Sequence, residues 1–268
     1  MNSVEMVLLL CDSSNIEKIS LIYEVLSDES RIISWVYAAV RHKIQILALH
    51  FPFQTEDRSF MLPHCLFTCE SLEELDLELS YVLKLPFYIC FPGLKILSLK
   101  NITFPDDHSA QQLFSACPNL MKLSLSECRW ENVKAVLISA PMLEDVHIFE
   151  ARSYNYRYKP SCQFMISGMN MQSFYYSGQL RNDLCIIDAP SLDKATFEVR
   201  GVQDIENSGR MKLVADCGLK LFMGLANVKS LKVSPASLMV CSKMIVCFVF
   251  GLPYCFYMFS LSNICIYL

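Results

Sequence analysis

Residues Ser115–Cys128 read SACPNLMKLSLSEC, and two neighbouring stretches repeat their plan: APMLEDVHIF from Ala140 and APSLDKATFEV from Ala189. Each holds a small or sulfur-bearing residue, a proline, a spacer and then apolar residues in a Leu-x-x-Leu-x-Leu frame. Sliding that frame along the chain, with other apolar residues allowed, gives nine matches, beginning at Ile16, Ile44, Leu72, Leu94, Leu120, Leu143, Met171, Leu192 and Val228. All steps but the last fall within the roughly 20–29-residue spacing of leucine-rich repeats. One match in a leucine-rich chain carries little, but a near-regular series sets the fold.

The frame has a physical reading. In a short strand, alternate side chains point to one face, so the spaced apolar residues turn inward and the residues between them turn out. One unit cannot bury that face alone, and units therefore stack with strands side by side. The expected fold is α/β: an irregular leucine-rich-repeat solenoid over residues 1–240, with a parallel β-sheet on the concave face and short helices on the convex face. Amphipathic stretches at Ser109–Pro118 and Glu131–Pro141 predict two of those helices, each stopped where a residue before proline is pushed out of the α region. Pro92 and Pro190 take the same boundary role. The ninth place of the frame, often a turn-satisfying Asn or Cys, is Cys128 in one unit but Pro52, Ser80, Ile102, Ala151 or Gln179 elsewhere, so no continuous polar ladder is expected. Two places further on, Val82, Phe104 and Trp130 return to the core pattern.

Composition narrows the function. The 268 residues are 53% hydrophobic and 19% charged, with only 8 Gly, which supports a large core. A net charge of -4 and the lack of any Lys/Arg run argue against nucleic acid as partner. The 13 cysteines form no Cys-x-x-Cys and lie in apolar contexts, as reduced cysteines of the cytoplasm or nucleus would. His64-Cys65 with Cys69 lacks a second ligand pair and reads as packing rather than a metal site. The start, MNSVEMVLLLCDSSN, has neither the basic residues nor the long apolar run of a signal peptide, so the sequon Asn101-Ile102-Thr103 is expected to stay unused. His42, His50, His64, His108 and His147 fall in different repeats without a nucleophile motif, and no phosphate-binding glycine loop occurs. No enzyme activity and no cofactor are expected.

Outward strand positions are the better candidates. They read Glu73, Glu74, Asp76 and Glu78 in the third unit, Lys95, Ser98 and Lys100 in the fourth, and Lys122 and Ser124 in the fifth. The sixth gives Glu144, Asp145 and His147, and the seventh Tyr175. An acidic band beside a basic one could steer a protein of matching charge. The Tyr-rich SYNYRYKP, with Tyr154, Tyr156 and Tyr158, offers further contact anchors.

Taken together, these motifs carry a family resemblance. VLLLCDSSNIEKISL followed by RIISWVYAAVRHKIQILAL resembles the segment after the F-box in plant F-box/leucine-rich-repeat proteins. CESLEELDLEL, FPGLKILSLKNITF, CPNLMKLSLSEC, APMLEDVHIF and LFMGLANVKSLKVSPASLMV are similar to the repeats that follow, so the likeness covers roughly residues 4–240. It implies the target-binding repeats of a cullin-type ubiquitin-ligase receptor, whose F-box docks an adaptor. No LPxxLL-type segment precedes Val7, so the F-box is expected to be missing and adaptor or cullin binding is not expected by the usual route. The alternative is a truncated or mis-spliced relative without function. From Met244 to Leu268 the chain carries no charge, and the 241–268 tail stays open between a transmembrane anchor, an end-piece packed on the last repeat, and aberrant sequence.

Overall fold

The computed structural model describes residues 16–22, 29–51, 59–130, 132–150, 162–201, 211–225, 228–239 and 264–266. The Tyr-rich stretch 151–161 and most of the apolar tail lie outside them. Ten parallel strands form the concave sheet: β1 (Lys18–Ile22), β2 (Ile46–Phe51), β4 (Glu74–Leu79), β6 (Ile96–Lys100), β7 (Lys122–Ser126), β9 (Asp145–Phe149), β11 (Ser173–Gly178), β13 (Lys194–Val199), β14 (Ser230–Val233) and β15 (Ile264–Ile266). The fourth and sixth places of all nine frames sit side by side in this register, from Ile19 and Leu21 at one edge to Leu231 and Val233. From Leu47 onward both rows are buried. The three tail residues of β15 pair with β14 as a tenth strand. Among the described residues no helix is long and apolar enough to cross a membrane.

The prolines have a sharper role than helix stops. Leu94, Leu120, Leu143 and Leu192 each donate their amide to the carbonyl three residues back, on Phe91, Cys117, Ala140 and Ala189, at 3.4, 3.3, 3.1 and 3.3 Å. Proline is thus the second residue of a recurrent β-turn, where its fixed φ is already suitable. The residue before it, such as Cys117 or Ala140, is buried as the corner of the core. A polar rung also runs through these turns, on the side of the frame opposite its ninth place. Ser71 Oγ donates to Ile44 O at 2.9 Å, Asn119 Nδ2 to Pro92 O at 2.7 Å and Asn170 Nδ2 to Pro141 O at 2.8 Å. Each satisfies a carbonyl of the preceding turn.

On the convex side, α1 (Glu29–Arg41) buries Ile32, Trp35, Val36 and Ala39, a three-four spacing that makes one helical stripe. The expected helix at Ser109–Pro118 is α2 (Asp107–Ser115), and a third, α3 (Met211–Gly224), packs against β12 (Asp183–Ile187). The expected helix within Glu131–Pro141 is instead a strand, β8 (Ala135–Ser139). Val136 and Ile138 alternate inward and pair with Phe164 and Ile166 of β10 (Gln163–Ser167), so β-branched residues take a period of two. With β12 these strands form a second parallel sheet, β3 (Ser59–Met61) and β5 (Val82–Lys84) pair in a third, and the convex layer is mixed rather than helical. Helix α2 closes its edge: Gln111 donates to Leu137 O at 3.0 Å and accepts from Leu137 N at 2.9 Å, as a neighbouring strand would.

Val82 also departs from expectation. It pairs with Thr103, which pairs with Arg129, and the core residue beside Phe104 and Trp130 is Leu83, because the chain takes one more residue here after its frame leucines. Phe104 and Trp130 stack at 4.3 Å with planes 10° apart, and Phe164 meets Trp130 edge-on at 4.8 Å, joining the two layers.

Candidate functional site

Three outward rows cross the concave sheet. The first runs Glu74, Ile96, Lys122, Asp145, Ser173, Lys194. The second runs Asp76, Ser98, Ser124, His147, Tyr175, Thr196, and the third Glu78, Lys100, Ser126, Phe149, Ser177, Glu198. Glu73, Lys95 and Glu144 lie just ahead of β4, β6 and β9, where their backbones continue the ladder. Eight of the eleven candidate residues thus lie in these rows, and Glu73, Lys95 and Glu144 flank the start of their strands.

The acidic and basic bands meet as ion pairs across neighbouring strands. Lys95 Nζ stands 2.7 Å from Glu73 Oε2, Lys100 Nζ 2.9 Å from Glu78 Oε1 and Lys122 Nζ 3.7 Å from Asp145 Oδ2. His50 Nε2 lies 2.9 Å from Asp76 Oδ2, a hydrogen bond that is an ion pair only when the ring is protonated. The Lys100 ammonium is pushed up, first by its hydrogen bond to Glu78. Partly exposed pairs contribute about 0–1 kcal/mol each, so their main effect is to cancel field rather than to stabilise. Among the described residues Glu74 and Glu144 have no ion-pair partner.

The face also holds a ring cluster. Phe149 and Tyr175 lie 4.9 Å apart, His147 lies 5.7 Å from Tyr175, and His147 and Phe149 lie 6.5 Å apart at 81°. The Tyr175 hydroxyl donates to Glu198 Oε2 at 3.0 Å, and the phenol is pushed up, first by burial and then by that carboxylate. Phe149 is absent from the sequence-based candidates because the frame ends at Ile148; carrying the outward alternation one step past His147 finds it. His50, Glu198 and Arg200 were missed in the same way, and Arg200 Nη2 lies 3.4 Å from Glu198 Oε2.

The other weighed site has no such assembly. His64 and Cys65 share a 3-10 turn (His64–Thr68) in which His64 is exposed, while Cys69 is buried and lies 3.3 Å from Ser71 Oγ. Cys65, Cys69, Cys90, Cys117, Cys128, Cys162, Cys185 and Cys217 are all free.

Fold and surface together define a leucine-rich-repeat protein with a polar, partly aromatic concave face. Residues 32–250 match the family model described as FBD-associated F-box protein At5g56370, LRR repeats, and the chain belongs to that plant F-box/leucine-rich-repeat family. It is similar to the F-box/LRR-repeat protein At3g26922 of Arabidopsis thaliana, 28% identical over 207 residues covering 76% of this chain and 61% of the relative. It is also similar to the F-box/FBD/LRR-repeat protein At5g56420 of the same plant, 32% identical over 117 residues covering 44% of this chain and 27% of the relative. The F-box/FBD/LRR-repeat protein At4g26340, again from Arabidopsis thaliana, is 28% identical over 177 residues, 64% of this chain and 36% of the relative. The chain thus spans less than two thirds of these relatives. No solved structure matches it.

Proposed function

We propose that the chain is a target-recognition module, the repeat part of an F-box-type ubiquitin-ligase receptor, which holds another protein on its concave face and performs no catalysis. The observation that carries this reading is the His147–Phe149–Tyr175 cluster, three rings on outward strand positions of a face otherwise mostly polar and charged. Rings already held in place lose little freedom on binding, which is why aromatic anchors dominate interface energetics. Family membership supports the same role, since the relatives bear F-box in their names, two of them with FBD. We place its activity in the cytoplasm or nucleus.

The test is proximity labelling in plant cells with the full chain and with a Phe149→Ala/Tyr175→Ala variant of unchanged circular dichroism. The variant should lose the proteins labelled by the natural chain. An identical set of labelled proteins would remove the concave face from the reading, and co-recovery of an adaptor would add the ligase step.

A further inference from the structure

If the concave face is where the partner lies, as just proposed, that face also specifies the partner's chemistry. Between β4 and β9 the second outward row shrinks to Ser98 and Ser124, a recess bordered by Ile96 and Lys122 in the first row and by Lys100 and Ser126 in the third. At about 4.8 Å per strand the recess is roughly 14 Å from wall to wall. One wall is Asp76 and Glu78, drawn to His50 and Lys100. The opposite wall is the ring cluster of His147, Phe149 and Tyr175.

The charge left uncompensated around the recess is negative. Glu74 stands in the first row on the acidic wall and Glu144 just ahead of β9, the strand that carries His147 and Phe149, both half-buried and without an ion-pair partner among the described residues. Lys122 reaches Asp145 only at 3.7 Å. The basic groups Lys194, Arg200, Lys229 and Lys232 lie beyond the rings, on or beside β13 and β14, where Arg200 faces Glu198 and Lys229 faces Asp193. A neutral aromatic anchor would use the rings but leave the carboxylates unanswered, and an acidic segment would be repelled by them. A long-stemmed cation satisfies both walls, its charge attracted by ring faces and carboxylates and its stem covering apolar surface.

We propose that the recess takes an extended, arginine- or lysine-bearing protein segment, with one cationic side chain seated on the His147–Phe149–Tyr175 rings and Glu144 and Glu74 drawing it in. The hydroxyl floor suits such a segment, because serine offers donors and acceptors to an incoming backbone without filling the recess. Tyr175 is positioned for it beforehand by its bond to Glu198.

The experiment is selection of random dodecapeptides displayed on phage against the full chain, the Phe149→Ala variant and a Glu74→Gln/Glu144→Gln variant, each checked by circular dichroism. Peptides selected by the natural chain should be enriched in Arg and Lys. Their binding should fall about tenfold with Phe149→Ala and severalfold with the charge variant, the latter difference shrinking as salt rises. Peptides without a basic excess that are still lost with Phe149→Ala would overturn this inference and leave the concave-face reading standing. Peptides bound equally by all three proteins would overturn both.

Discussion

The Tyr176 hydroxyl donates to Glu150 Oε2 at 2.7 Å and accepts the Leu180 amide at 2.6 Å. The same carboxylate takes the amides of Gln179, Arg181 and Asn182 at 3.1, 3.0 and 3.2 Å and the Asn182 side chain at 2.9 Å. One acid at the end of β9 therefore satisfies the turn that carries the chain from the concave strand β11 to the convex strand β12. Burial first, and then the Glu150 charge, pushes the Tyr176 phenol well above its ordinary range. Tyr176→Phe strands the buried Leu180 amide and should lower the unfolding free energy by about 1–3 kcal/mol in urea titrations. Glu150→Ala should exceed it, because several donors lose their acceptor at once. The folded chain holds the phenol proton more tightly, so this contribution is full below about pH 10 and is lost as pH rises through the folded value. Tyr176→Phe should flatten that alkaline decline, and an unchanged slope would count against the arrangement.

Two glycines near the turns should respond differently to the same change. A Cβ on Gly93 would stand 2.5 Å from the Glu70 carbonyl oxygen, a backbone atom that cannot swing aside, and 3.2 Å from that of Leu72. On Gly168 the nearest atoms, from Leu143 and Met171, would be 3.3 Å away. Gly93→Ala should lower stability by about 1–3 kcal/mol, as overpacking does. Gly168→Ala should shift the melting temperature far less, and equal shifts would show that the Glu70 turn relaxes freely.

What could be read along the chain was what repeats along it. The inward alternation at Leu75/Leu77 or Leu123/Leu125 recurs in every unit, so the sheet, its direction and its core were legible. Glu73 facing Lys95 was not, since the two are 22 residues apart and meet only through the register. Ala135–Ser139 misled for a related reason. Five apolar-rich residues fit a helical or an extended period equally well, and pairing with Gln163–Ser167 decides between them. Phe149 was hidden by the frame's own length. The outward positions were therefore legible in the sequence, while Phe149 and the pairing of charges across strands were not.

Glu127 sits at φ 57, in the left-handed region, directly after β7. The matching place after β6 is Asn101 at φ 58, a residue that tolerates this conformation. Glu127 uses its amide, which reaches Phe149 O at 2.8 Å, so the backbone bond needs no particular side chain. Glu127→Asn should raise stability by about 0.5–1 kcal/mol through relieved strain. Loss of stability in thermal denaturation would mean that the Glu127 carboxylate matters more than its backbone.

Helix α2 begins with Asp106, whose Oδ1 accepts the Ser109 amide at 2.7 Å. That bond, the leading cause, holds the Asp106 carboxyl below its usual value. Asp106→Ala should cost about 1 kcal/mol at neutral pH. The folded value is depressed, so the contribution is present above about pH 4 and is lost as pH falls through the folded value. The gap between the natural chain and Asp106→Ala should therefore close in acid. Asp106→Asn, which caps without titrating, should show no such closure; a gap independent of pH would remove the charge from the cap's action.

The buried cysteines give a reactivity test of the core. Cys117, Cys162 and Cys217 are almost wholly buried, and burial is the main cause that pushes each thiol up to about 12. At pH 8 only about one molecule in ten thousand then carries the thiolate that reacts. Iodoacetamide should label these three sites far more slowly than the half-buried Cys90 and Cys185 in the native chain, and at similar rates in urea. Native labelling of Cys117 should keep rising about tenfold per pH unit from 8 to 10, because its thiolate fraction is still far from saturation. A plateau near the ordinary thiol value would show that labelling proceeds through an opened chain, and that the turn at Cys117-Pro118 is not the sealed corner its geometry describes.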